Sequence, residues 1–216
     1  MNILLTIASV LGFAPSAMAE VPPDSSVAPA PPRTGFEVAL RTGFSQPVGD
    51  IEPHDASLLD YPAQIPALLE VGARVTPHVF VGAYFGAGFG LEHSSSVSST
   101  ALHIGAEVQY HFVPEAGADP WVGYGLGYES LSENDFDERF TRYDGFEFGH
   151  LMGGANFRVS PSFGLGPFLD VSLGHYTSYH FRYPGKEAYY PDQDRSISGT
   201  AVHSWVTLGV RGTFMP

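Results

Sequence analysis

The 216 residues contain no cysteine, a single lysine and no run of eighteen apolar residues. Without cysteine there is no disulfide framework, no thiolate metal site and no acceptor for a lipid anchor. Without a long apolar run there is no membrane-spanning helix. The formal charge is -13 and the ten basic residues are scattered rather than clustered, which opposes approach to phosphate backbones and excludes nucleic acid as a partner. Any metal site would have to rest on histidine and carboxylates, and no cofactor is expected.

Against these absences stand 25 Gly, 16 Phe and 11 Tyr in a chain with an ordinary apolar content of 44%, enough for one folded domain. The first 19 residues read as a secretory signal peptide: an apolar stretch from Ile3 to Phe13 precedes Ala17-Met18-Ala19, which fits the small-x-small cleavage rule. Residues 20–34 are rich in proline and lack apolar periodicity, so they read as an extended tether. From residue 35 to 216 the pattern changes to a period of two.

Eight segments alternate in this way. In the clearest, Leu102, Ile104, Ala106, Val108, Tyr110 and Phe112 interleave with His103, Gly105, Glu107, Gln109 and His111. The sixth segment changes phase near Gly149, for which a β-bulge is the simplest account. Tight turns are expected at Thr76-Pro77-His78, Pro114 to Asp119 and Ser160-Pro161-Ser162, and long loops at Val48 to Gln64, Glu92 to Ser99, Ser132 to Asp144 and Thr177 to Ser198. Short turns on one side and long loops on the other are the habit of membrane barrels.

A soluble ligand-binding barrel also alternates, but it keeps its apolar face inside. Its outer face would carry Lys, Thr and Glu, whereas the less oily face here is dominated by Gly with isolated charges, as suits a crowded lumen. The expected fold is therefore all-β, an eight-stranded antiparallel up-and-down transmembrane β-barrel, closed because hydrocarbon cannot satisfy a sheet edge.

With the strands laid out, the sequence resembles the small outer-membrane barrels of the OmpA and OmpX kind, the outer-membrane β-barrel domain family, from Gly35 to Phe214. The last strand matches the family's assembly signal at Thr207, Gly209 and Phe214, while Gly212 departs from an apolar position and Met215-Pro216 follow the final aromatic. The resemblance implies residence in the outer membrane of a Gram-negative bacterium. It also implies contact with outer-membrane lipid, lipopolysaccharide and the barrel assembly machinery, and a monomeric state. The peptidoglycan-anchoring role of longer relatives is not expected.

The inward face is expected to hold a polar network of Glu37, Arg41, Glu70, Arg74, His103, Glu107, His111, Glu129, Arg158, Asp170, His203 and Arg211, in near charge balance. Two readings stand: a salt-bridged plug, favoured because an eight-stranded lumen barely admits its own side chains, and a narrow pore or small-molecule transporter. The acidic loops, with Asp50, Glu52, Asp55 and Asp60, then Glu133, Asp135, Asp137, Glu138 and Asp144, then Glu187, Asp192 and Asp194, would either be solvated or hold divalent cations against lipopolysaccharide. His93-Ser94-Ser95 has the His-x-Ser spacing of a lipid A esterase pair, but no orienting acid can be assigned to it, so no enzyme activity is expected. His175, Tyr176, Tyr179 and His180 read as an interfacial aromatic girdle.

Overall fold

The structure is a computed structural model that describes residues 33–52, 56–58, 61–91, 97–135, 139–199 and 201–216. The signal peptide, most of the tether, the His93-Ser94-Ser95 stretch, and the loop acids Asp55, Asp60, Asp137 and Glu138 lie outside the described residues.

Among the described residues ten strands follow in order: β1 (Gly35–Glu52), β2 (Ala56–Ser57), β3 (Gln64–Thr76), β4 (Val79–Gly90), β5 (Val97–His111), β6 (Ala118–Asp135), β7 (Phe140–Arg158), β8 (Phe163–Arg182), β9 (Gln193–Ser196) and β10 (His203–Phe214). Neighbours pair antiparallel in the order β1, β3, β4, β5, β6, β7, β8, β10, and β10 returns to β1. The sheet thus closes into a ring of eight strands, with β2 on β1 and β9 on β8 as short additions. At the closing seam Gly43 faces Gly209, and a Cβ on either would run into the backbone of the other strand.

Side chains obey the period of two. Val108 is 45% exposed on the outside and its neighbour Glu107 is 4% exposed in the lumen. The outer wall is an unbroken apolar belt that includes Leu40, Phe85, Ile104, Leu126, Phe146, Leu169 and Leu208. Such a belt far exceeds the apolar patches that soluble monomers leave exposed, and it matches a hydrocarbon environment. The phase change in β7 is a register shift between Glu147 and Gly149.

Strand lengths differ from the sequence expectation. A tilted strand crosses a bilayer in about 9–11 residues, but β6, β7 and β8 run for 18, 19 and 20. Much of what read as loop is paired strand: Asn134 pairs with Phe140 and Arg142 with His180, so hairpins rise beyond the apolar belt. These stretches lack the apolar-outward alternation because their outer residues are polar.

Candidate functional site

The lumen holds the polar side chains, and they stack in layers. At the short-turn end the Arg74 Nε donates to Glu37 at 2.7 Å, and its Nη1 lies 3.5 Å from Asp119. Asp119 also meets the His111 Nδ1 at 2.7 Å. Arg211 bridges upward, donating to Glu37 at 3.2 Å and to Glu70, with its guanidinium 4.7 Å from the Trp121 ring centre.

In the middle layer the fully buried Arg41 contacts Glu70, lies 2.7 Å from Asp170 and 3.4 Å from Glu107. Gln109 donates to both Glu70 and Glu107, at 3.1 and 3.0 Å. His150 joins Asp170 and sits 3.2 Å from Glu147, which accepts from the Tyr84 hydroxyl at 2.8 Å and has His103 at 3.9 Å. Glycine makes this layer possible: a Cβ at Gly105 or Gly127 would strike the Tyr84 hydroxyl. A cavity of about 20 Å³ beside Glu147, His150 and Ser172 has room for roughly one water.

In the upper layer His203 lies 2.7 Å from Glu129, the Trp205 indole donates to the same carboxylate at 3.4 Å, and Tyr176 stacks on His203 at 4.2 Å. Above this the lumen turns apolar. Ile51, Leu58, Ala101, Leu131, Tyr143, Tyr176, Ile197 and Trp205 form one buried cluster, with Tyr61 and Tyr179 packed against it.

Of the twelve residues expected inside, ten are buried, while His103 and Arg158 are half-buried. Eleven of them join the paired layers. Arg158 does not: its bond goes to the Pro114 carbonyl at 2.8 Å, at the short-turn rim. The structure adds Tyr84, Gln109, Asp119, Glu147 and His150 to the network. Asp119 closes the expected turn from Pro114, whereas β6 already begins at Ala118. Glu147 and His150 flank the bulge, where the two phases meet, and applying each phase up to Gly149 would have found both. With Asp119 and Glu147 included, carboxylates outnumber arginines in the lumen, and each of the four histidines lies against one of them.

Tyr176 is a correction to the expected girdle. It is 1% exposed inside the barrel, and Tyr179 also packs inward, because a register shift opposite Asp144 and Gly145 restarts the alternation after Thr177. The outer surface of the rising hairpins is charged instead. Arg142 pairs with Asp144 at 2.8 Å, and Arg182 with Asp194 at 2.8 Å and Asp192 at 3.2 Å. On the inward face of β9, Arg195 lies over the Tyr179 ring and donates to Glu52 at 3.0 Å. Arg182 and His180 hold the exposed Asp194 carboxyl below its usual range by hydrogen bonding. Several loop acids are therefore committed to guanidinium partners, and among the described residues no three His or carboxylates form a metal-ligating group. Thr207 faces the lumen, Gly209 sits at the seam, and Phe214 lies outside, paired with both Val38 and Phe163.

No family model and no curated protein sequence matches the chain. Solved structures do match. Neisserial surface protein A is 13% identical with a TM-score of 0.52, over 85% of this chain and 99% of that one. The N-terminal β-barrel domain of Pseudomonas aeruginosa OprF is 14% identical with a TM-score of 0.45, over 84% and 100%. The outer membrane protein OprG of the same organism is 11% identical with a TM-score of 0.47, over 85% and 98%. The fold is that of the small eight-stranded outer-membrane barrels.

Proposed function

We propose that this chain is a non-conducting, non-enzymatic barrel of a Gram-negative outer membrane, exported by its first 19 residues, whose filled lumen serves as a rigid base for surface-exposed hairpins. The hairpins would be the working part, as an interaction surface, and the barrel a monomeric anchor in lipopolysaccharide-bearing lipid.

One observation carries the reading. The lumen is obstructed twice, by the ion-paired layer around Arg41 and by the apolar cluster around Leu131 and Trp205 above it. A conducting path needs a continuous wetted bore, and an eight-stranded barrel has little width to spare. The capping cluster also explains how hairpins so far beyond the belt keep one shape: they share a small soluble-type core.

Planar-bilayer recording tests this. The refolded protein should give no steady conductance. A reproducible single-channel current that changes with Arg41 or Arg74 substitution would replace the plug with the pore reading.

A further inference from the structure

The short-turn rim of the lumen contains a cavity of about 60 Å³ that the network does not use. Its lining includes Arg33, Arg158, Asn156, Ser162 and, on the network side, Arg74 and Asp119. At roughly 10–15 Å³ per water it admits about four, or one tetrahedral group with four oxygens.

The side-chain nitrogens left over around it are donors, and the lining hydroxyls of Ser160, Ser162 and Thr213 can donate as well. Arg33 has no partner among the described residues, and Arg158 has only the Pro114 carbonyl, on Nη2, leaving Nε and Nη1. The Asn156 Nδ2 is buried and unpartnered, while its Oδ1 is taken by Arg211 at 3.5 Å. Asn156 as a whole is 7% exposed. The one carboxylate in the lining, Asp119, is engaged by His111 and Arg74. In a chain with 23 acidic and ten basic residues, two guanidinia without carboxylate partners converge on one cavity. A buried donor without an acceptor is costly, and forked guanidinia match an oxyanion in geometry and charge.

We propose that this rim is a binding site for a soluble oxyanion of phosphate size, held by Arg33, Arg158 and the Asn156 amide. The site goes beyond the structural role above and survives or fails independently of it. A soluble ligand fits better than a lipid headgroup, because Arg74, Asp119 and Asn156 belong to the lumen face of their strands rather than the lipid face.

The test is a titration of inorganic phosphate into the ¹⁵N-labelled chain, refolded in an uncharged detergent and followed by NMR. Saturable shifts are expected for the amides of Ser160, Ser162 and Gly164 and for the Asn156 side chain. Arg158→Gln and Arg33→Gln should each weaken binding at least tenfold and leave the folded mobility on gels unchanged. Non-saturating shifts in the wild-type chain, or equal affinity in both variants, would overturn the proposal. A repeat in phosphatidylcholine nanodiscs, whose headgroups carry a phosphodiester without net charge, separates the sources: affinity should equal that in detergent, and its loss would assign the site to a lipid phosphate.

Discussion

The middle of the lumen and its loop end are built on opposite principles. Around Arg41 the inside is charged and the outside apolar; around Leu131 the inside is apolar and the outside charged. The change falls within a few residues of β6, where Leu126 and Tyr128 face outward, Glu129 faces inward, and Leu131 then faces inward as part of the apolar cluster. One strand thus passes from a membrane protein's pattern to a soluble protein's pattern. The reversal marks where hydrocarbon ends, because each face follows the solvent it meets.

The comparison can be broken most forcefully in the charged layer. Arg41→Met removes the cation shared by Glu70, Glu107 and Asp170 and leaves buried carboxylates without it. Loss of one partner from a buried pair costs about 3–5 kcal/mol, to be read from urea unfolding in lipid vesicles. An effect below about 1 kcal/mol would mean that water reaches this layer and the plug is not dry.

The apolar cluster should respond as a soluble core does. Leu131→Ala is expected to cost about 2–3 kcal/mol, the low end for a buried leucine because a hairpin end can partly collapse. Protease digestion of intact vesicles should then cut the β6–β7 hairpin faster while the transmembrane part stays resistant.

The partly exposed pair of Arg195 and Glu52, at the edge of the apolar cluster, should matter least. Arg195→Ala is expected to change stability by at most about 1 kcal/mol, and less at high salt. A larger loss would show that β9 is held by this contact rather than by Ile197 in the cluster beneath.

Much of this was legible in the sequence. The period of two assigned Val108 and Glu107 to their faces, and the irregular phase located the bulge at Gly149. Glu147 and His150 were also within reach, since each follows the phase on its own side of that bulge. The rising hairpins were harder. Apolar residues pointing outward mark the membrane part of a strand, whereas Ser130-Leu131-Ser132 alternates in the opposite sense, so the recognisable pattern of β6 ends before it and a loop is expected from Ser132. Tyr176 continues the inward phase of Asp170, Ser172 and Gly174, and could have been assigned inside. Tyr179 could not, because its direction depends on the irregularity after Thr177, which only strand pairing reveals.

The reversal itself can be measured directly on one strand. The chain has no cysteine, so single labels are available without background. Leu126 and Asn134 are both exposed on the outer face of β6, eight residues and roughly 27 Å apart at the usual rise. Spin labels at these positions in lipid bilayers report collision with oxygen, which partitions into hydrocarbon, or with a water-soluble nickel complex. The account predicts that the label at Leu126 meets oxygen and not nickel, and that the label at Asn134 meets nickel. Nickel access at both positions would contradict the membrane belt, and oxygen access with nickel exclusion at both would contradict the reversal.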